Sequence, residues 1–114
     1  MSTKRPHYYD SADLAKFGDI TRTNPELGRA FFDYYNKSMA AGALSEREKA
    51  LIALAVAHAL KCPYCIDAYS STCLEKGADE EQMNEAVHVA ASMSAGIALV
   101  HSVQMMNKID ELSI

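Results

Sequence analysis

The sequence predicts an all-α protein of about five to six helices, and three observations favour this fold class. Among the 114 residues there is no Trp and there are only three Phe. Ala is plentiful and β-branched residues are few, which favours helix over sheet. Helix-capping signals recur along the chain, and apolar residues follow them at helical spacing. At this length we expect a single domain over residues 1–114.

Each expected helix is placed by its start and stop signals. Asn24 is a suitable cap and Pro25 suits a first helical turn. Ser45 with Glu48 has the spacing of a capping box, and the start of the last helix repeats this pattern. We expect a break near residues 94–96, because Gly and Ser weaken a helix interior. The predicted helices cover about residues 12–17, 25–42, 46–61, 63–76 and 79–107.

The stretch from residue 50 to residue 60 is apolar on every face except for His58. A helix of this kind is buried all round. A domain of 114 residues has difficulty in surrounding a central helix. The sequence therefore predicts a homo-oligomer, in which neighbouring subunits cover part of this apolar central helix.

Charge and composition exclude several classes of function. The net charge is -4 and the pI is about 5.5, so no nucleic-acid partner is expected. The first residues lack the apolar run of a signal peptide, and residues 50–60 are too few to cross a bilayer. We therefore expect a soluble cytoplasmic protein with no membrane partner, whose cysteines are reduced at rest.

The motif Cys62-Pro63-Tyr64-Cys65 carries the chemistry of this chain. Pro63 disfavours a helical conformation at Cys62 and suits a first helical turn. Cys62 is therefore expected to be the N-cap of a helix, with Cys65 one turn inside it. The unpaired N–H groups and the helix dipole at this position favour a thiolate, which is the nucleophilic form. The motif predicts a redox-active dithiol.

Three stretches of the chain carry a family resemblance: Leu44-Ser45-x-x-Glu48 with the apolar run that follows, Cys62-x-x-Cys65, and the turn Glu75-Lys-Gly-Ala-Asp79. Over about residues 26–107 the chain resembles the AhpD-like alkylhydroperoxidases of the carboxymuconolactone decarboxylase superfamily. A closer resemblance is to the peroxidase-like proteins associated with arsenosugar biosynthesis, through Ala43-Leu-Ser-x-Arg-Glu-Lys, Cys-Pro-Tyr-Cys-Ile-Asp-Ala-Tyr and Val-His-Val-Ala-Ala.

This resemblance implies an all-α fold, trimers or hexamers, and thiol-dependent peroxidase or disulfide-reductase activity. We expect no cofactor and no metal. One thiolate attacks the O–O bond of a hydroperoxide and becomes a sulfenic acid, the other thiol condenses with it, and an external dithiol restores the pair. The helix-start argument favours Cys62 as the attacking thiol, whereas the resemblance favours Cys65. We expect Cys65 to attack and Cys62 to exchange with the electron donor.

The family pattern contains two groups that relay protons to and from the thiols, and this chain lacks both. Ala50 stands where the pattern has Glu, twelve residues before Cys62, and Tyr69 stands where it has His, four residues after Cys65. Glu48 cannot replace the acid, because two residues rotate a helix by about 200°. Tyr69 is a poor base, since phenols titrate at about pH 10. It can still donate a hydrogen bond to a thiolate, a sulfenate or a peroxide oxygen.

His58 is a candidate for the missing base. It lies about 80° around the helix from Ala50 and one turn before Cys62, and a neutral imidazole near the dithiol could accept a proton. The alternative is a core histidine that bonds to a backbone carbonyl. The sequence thus predicts four catalytic residues: Cys62, Cys65, His58 and Tyr69.

Two other functions fit the same residues. The soft ligands Cys62, Cys65, Cys73 and His58 could bind a metalloid or a metal, and trivalent arsenic favours neighbouring thiolates. A zinc site usually needs a second ligand pair, and none is present at the usual spacing. Cys73 also fits a small buried hydrophobe. The missing Glu and His fit an inactive structural member of the family.

Overall fold

The computed structural model describes residues 9–113, and within this range all regular elements are helices. A 3-10 helix comes first, and four α-helices follow: the 3-10 helix is Ser11–Asp19, α1 is Pro25–Met39, α2 is Glu46–Ala59, α3 is Pro63–Glu75 and α4 is Glu80–Leu112. The all-α prediction is confirmed. The short helix expected near the N-terminus is present as the 3-10 helix.

The helix starts follow the capping residues expected from the sequence. At the start of α1 the side chain of Asn24 accepts a hydrogen bond from the Leu27 N–H at 3.2 Å. At the start of α2 the Ser45 Oγ accepts from the Glu48 N–H at 3.1 Å, and the Glu48 carboxylate accepts from the Ser45 N–H at 2.8 Å. These bonds lower the pKa of Glu48. An equivalent capping box begins α4, and Glu48 is confirmed as a capping residue.

The helices α2 and α3 end with the same pair of backbone hydrogen bonds. The Lys61 N–H donates to the carbonyl three residues before it at 3.2 Å, and the Cys62 N–H to the carbonyl five residues before it at 2.9 Å. Gly77 and Ala78 repeat these bonds at 3.2 and 2.9 Å. Lys61 and Gly77 have positive φ angles of 56° and 91°, a conformation that favours Gly. The turn at Lys61 brings Cys62 directly to the start of α3.

The core lies where α2 packs against α3 and α4. Ala50 and Leu54 of α2 contact Cys73 of α3 and Ala78 of the turn that follows, and all four side chains are buried. Tyr69 packs against this cluster. Cys73 is therefore a small buried hydrophobe, which confirms that interpretation of it.

The other face of α2 is exposed in the single chain. Ile52 and Val56 are half exposed, and Leu60 is 75% exposed. The sequence predicted that other subunits cover part of this helix, and a single chain leaves this face of α2 open. An exposed apolar face of this kind is typical of a contact with another subunit, and oligomerisation stays a prediction.

The helix α4 is continuous over 33 residues, so the break predicted at residues 94–96 is wrong. A single Gly in a helix interior costs about 1 kcal/mol relative to Ala. A break would instead leave backbone N–H and C=O groups without helical partners at two new helix ends. The local weakness at Gly96 is therefore too small to interrupt the helix.

Beyond Ala90 the side chains of α4 are exposed, apart from the half-buried Ser102. Its most apolar window of 18 residues has a mean hydropathy of 1.5, so this helix is long and apolar enough to cross a bilayer. The sequence predicted no such helix, because only residues 50–60, the longest apolar run, were considered as a span. A helix that packs against another subunit has the same composition, and one such helix is weak support for a membrane span.

Aromatic side chains join the 3-10 helix to α1. The ring centroid of Phe17 lies 5.1 Å from that of Phe32 and 5.7 Å from that of Tyr35. Gly28 of α1 is buried, and a Cβ at this position would collide with the hydroxyl of Thr21. The 3-10 helix and α1 therefore form one unit. In this unit the 3-10 helix contacts α3, and α1 contacts α2.

Candidate dithiol site

The two thiols lie together at the start of α3. Cys62 is the N-cap, and its Sγ accepts a hydrogen bond from the Cys65 N–H at 3.4 Å. The Cys65 thiol donates to or accepts from the Cys62 sulfur across 2.8 Å. Both cysteines are free and half buried. The predicted N-cap position of Cys62 is confirmed, and the pair is close enough to form a disulfide after a small movement.

The surroundings of the two sulfurs give them opposite acidities. The hydrogen bond from the Cys65 thiol lowers the pKa of Cys62, and the N–H groups of Cys65 and Tyr64 lower it further against the effect of burial. Burial, the hydrogen bond to Cys62 and the charge of Cys62 raise the pKa of Cys65 to about 11. Cys62 is therefore the more acidic thiol of the pair. This asymmetry favours Cys62 as the nucleophile, as the helix-start argument does, and not Cys65.

An apolar cavity of about 440 Å³ opens beside the dithiol, between α1, α2 and α3. Its walls are mostly aliphatic and include Met39, Leu44, Ile52, Val56 and Leu60. Both thiols lie in its lining, together with the side chains of Tyr35 and Tyr69. A molecule bound here would meet the sulfurs in apolar surroundings.

Tyr69 lies in this cavity, and its hydroxyl is hydrogen-bonded to the hydroxyl of Tyr35 from α1. Burial and the neighbouring charge of Cys65 raise the pKa of Tyr35. Tyr35 was not among the catalytic residues predicted from the sequence. Its place beside the dithiol could not be found from spacing, because the contact joins residues 34 positions apart on different helices.

His58 lies outside this cavity. Its Nδ1 is hydrogen-bonded to the Leu54 carbonyl of the same helix at 2.8 Å. The cavity is lined by the face of α2 that contains Val56. His58 is two positions further along this helix and therefore points about 200° away from Val56. The structure thus brings together Cys62, Cys65 and Tyr69, while the contact of His58 is the one expected of a core histidine.

A second cavity, of about 480 Å³, reaches the dithiol from the side of the 3-10 helix. Leu14, Phe17 and Ile20 form its apolar wall opposite the two cysteines. Tyr9 contacts Tyr64, which lines this cavity: the Tyr9 hydroxyl donates to the Asp67 carboxylate at 2.6 Å, and its ring centroid is 4.1 Å from that of Tyr64. The segment from residue 9 to residue 20 therefore covers one side of the site.

The four ligands of the metal-binding alternative are not gathered in one place. Cys73 is buried in the core, about 12 Å further along α3 than Cys65, and His58 is bonded to its own helix. Over residues 9–113 no group of three or more His, Cys, Asp or Glu side chains is placed to hold a metal ion. Only Cys62 and Cys65 remain as a pair of neighbouring soft ligands.

Comparison with known proteins gives one family. Residues 25–108 match the model of the carboxymuconolactone decarboxylase family. The chain is 39% identical over 98 residues to a Paracoccus denitrificans protein described as "uncharacterized protein 4 in cox locus". This match covers 86% of this chain and 88% of that protein.

Two solved structures are similar in fold. A Methanobacterium thermoautotrophicum protein has a TM-score of 0.73 and 31% identity, over 77% of this chain and 96% of that one. A carboxymuconolactone decarboxylase family protein from Legionella pneumophila, solved in its apo form, has a TM-score of 0.63 and 32% identity, over 91% of this chain and 90% of that one. The similarity to the arsenosugar-associated proteins stays a prediction. The carboxymuconolactone decarboxylase family includes decarboxylases and alkylhydroperoxidase-like enzymes, and its members are typically soluble. This chain belongs to that family.

Proposed function

We propose that this protein reduces hydroperoxides with the dithiol of Cys62 and Cys65. The observation that supports it most is the asymmetric pair at the start of α3, in which the pKa of one thiol is lowered and that of its neighbour is raised. An easily ionised sulfur beside a protonated one suits attack on a peroxide followed by closure of a disulfide. Disulfide reduction by the same pair is a related activity.

The reaction has three steps. The Cys62 thiolate attacks one peroxide oxygen, so that an S–O bond forms, the O–O bond breaks and an alkoxide or hydroxide leaves. The Cys65 thiol then condenses with the Cys62 sulfenic acid to give a disulfide and water. An external dithiol reduces this disulfide by exchange, and no cofactor or metal takes part. The aliphatic walls of the cavity suit an organic hydroperoxide better than hydrogen peroxide.

We also propose an assembly state, a cellular location and a metabolic context for the enzyme. It works as a homo-oligomer, a trimer or a hexamer, in which the exposed apolar faces of α2 and α4 are covered by other copies. It acts in the cytoplasm, without a nucleic-acid or membrane partner, and in connection with arsenic or arsenosugar metabolism. Lactone decarboxylation is not part of the proposal, because a dithiol offers no reason for it.

Counting free thiols tests the proposed function. The fully reduced protein is mixed with cumene hydroperoxide, and the remaining thiols are titrated. Rapid loss of two thiols per chain, with a Cys62–Cys65 disulfide in the peptide map, is expected. Cys73→Ala is the matched control, because it removes a thiol outside the site and should leave this loss unchanged.

The alternatives give different results in the same experiment. Retention of all three thiols under hydroperoxide, with stoichiometric uptake of arsenite by the reduced protein, would contradict peroxidase activity and favour a metalloid binder. Retention of the thiols without arsenite uptake would favour an inactive structural member of the family. In either case the proposed reaction is wrong.

A further inference from the structure

The hydroxyls of Tyr35 and Tyr69 form a hydrogen-bonded pair in the cavity that contains both thiols. Two other polar side chains line this cavity. Lys49 donates from its Nζ to the carbonyls of Ser38 and Ala40, at 2.8 and 2.6 Å, and so ties the end of α1 to α2. Ser38 lies at the exposed end of α1. The tyrosine pair therefore supplies the phenolic hydroxyl groups of a cavity with mostly aliphatic walls.

The position of the pair follows from two helices. Tyr69 lies four residues after Cys65 on α3, and residues at this spacing are neighbours on one helix face. Tyr35 reaches the same place from α1, which the bonds of Lys49 hold against α2. The pKa of Tyr35 is raised by burial and by the charge of Cys65. Tyr35 is thus protonated near neutral pH, and it can give a proton but not take one from a thiol at rest.

Within such a pair one hydroxyl donates and the other accepts. The accepting hydroxyl keeps its own hydrogen, which is free to bond to a third atom. A hydroxyl that accepts one hydrogen bond becomes a stronger donor in the next, because the bonds polarise each other. A peroxide oxygen is the atom that the proposed reaction would bring into reach.

We infer that Tyr35 and Tyr69 act together as the proton donor to the oxygen that leaves the peroxide. This inference rests on the proposed function, and it deepens it by naming the acid. Tyr35 then becomes a catalytic residue, and Tyr69 donates as part of the pair. In a chain with Ala50 in place of the family's Glu, the pair performs the proton transfer that the Glu and His perform in the family pattern.

The protons balance over the two chemical steps. Attack by the Cys62 thiolate forms the S–O bond and releases an alkoxide, which takes a proton from the pair and leaves as an alcohol. The tyrosinate that remains takes the proton of the Cys65 thiol, which lines the same cavity. The Cys65 thiolate then attacks the Cys62 sulfenic acid, the S–S bond forms and hydroxide is released, which solvent protonates. Two electrons pass from the dithiol to the peroxide.

Leaving groups of different basicity test this inference. Tyr35→Phe keeps the ring and removes the hydroxyl. Tyr34→Phe is the matched control, since Tyr34 is the neighbouring residue on α1 and is 73% exposed. The rate of thiol loss is measured with three reagents: tert-butyl hydroperoxide, which releases a strongly basic alkoxide, peracetic acid, which releases a weakly basic carboxylate, and an aromatic disulfide, which releases a thiolate.

We expect Tyr35→Phe to slow the reaction with tert-butyl hydroperoxide by about a hundredfold or more. The reactions with peracetic acid and the aromatic disulfide should keep the rates of the parent protein, because those leaving groups need no proton. Tyr34→Phe should match the parent with all three reagents. Tyr69→Phe should repeat the selective loss of Tyr35→Phe, since either substitution breaks the pair.

Two results would overturn the inference alone. One is a Tyr35→Phe protein that reacts with tert-butyl hydroperoxide at the parental rate. The other is an equal loss with all three reagents, which would show that the hydroxyl only supports the structure. A parent protein that reacts with the aromatic disulfide but with neither peroxide would overturn the proposed function itself, and the inference with it.

Discussion

At each end of α3 there is a cysteine and a nearby residue with a positive φ angle, but the two cysteines lie in opposite surroundings. At its start, Lys61 takes a positive φ of 56° and leads into Cys62, a half-buried thiol that accepts backbone hydrogen bonds. At its end, Cys73 is fully buried in the core, and Gly77 takes a positive φ of 91°. Burial raises the pKa of the Cys73 thiol, whereas hydrogen bonding lowers that of Cys62.

This difference shows what decides the role of a cysteine here. The residue type is the same, and the helix is the same. At the helix start, N–H groups without helical partners stabilise a negative sulfur. About three turns later such groups are absent, and apolar neighbours disfavour the charge. The start of α3 therefore suits a reactive thiol, and its end suits a thiol that packs in the core.

The largest effect is expected from Cys62→Ser. Serine is a good N-cap, so the helix should form as before, but its hydroxyl does not ionise near neutral pH. Peroxide turnover should fall by more than about 10³-fold. The measurement is hydroperoxide consumption with an external dithiol, beside a urea unfolding curve. An active Cys62→Ser protein would show that the attacking thiol lies elsewhere, with Cys65 as the first candidate.

A second prediction concerns the order in which the thiols react. Cys62 should react with iodoacetamide at pH 7 more than about tenfold faster than Cys65, although the nucleophilicity of a thiolate falls with its pKa. Because the pKa of Cys62 is lowered, its rate should rise with pH and level off below the pH at which an ordinary cysteine does. Peptide mapping after short labelling at several pH values measures both effects. Preferential labelling of Cys65 would reverse the assignment.

The local features of this molecule could be predicted from the sequence. The capping boxes, the N-cap position of Cys62 and the burial of Cys73 depend on short-range hydrogen bonds or on the polarity of one residue type. The continuity of α4 was missed because a weak local signal at Gly96 was given more weight than the cost of two new helix ends.

The arrangement of the site across helices could be predicted only in part. Tyr69 follows from its distance to Cys65 along one helix. Tyr35 does not, because its contact depends on how α1 packs against α3. His58 was given a possible catalytic role from its angle relative to Ala50, but a bond to the Leu54 carbonyl occupies its Nδ1 on another face. Spacing gives the direction of a side chain and not its partner.

The third prediction is smaller and concerns the other end of α3. Cys73→Ser places a hydroxyl in a fully buried position among Ala and Leu side chains. A buried hydroxyl without a partner costs about 1–3 kcal/mol, and urea unfolding should show this loss. The initial rate of peroxide reduction per folded molecule should not change. A loss of activity at full stability would instead make Cys73 part of the redox site.

The smallest effect is expected at the two residues with positive φ. Lys61→Gly should stabilise the protein by about 0.5 kcal/mol, because the strain of a side chain in this conformation slightly exceeds the entropy that Gly loses on folding. Gly77→Ala should destabilise it by about 1 kcal/mol for the same reason. Urea unfolding of both variants measures the difference. Thiol reactivity should be unchanged in Lys61→Gly, since the backbone that presents Cys62 stays the same. If Lys61→Gly instead destabilises the fold or slows the reaction of the dithiol, the lysine side chain itself supports the start of α3. The two helix ends would then differ in more than the burial of their cysteines.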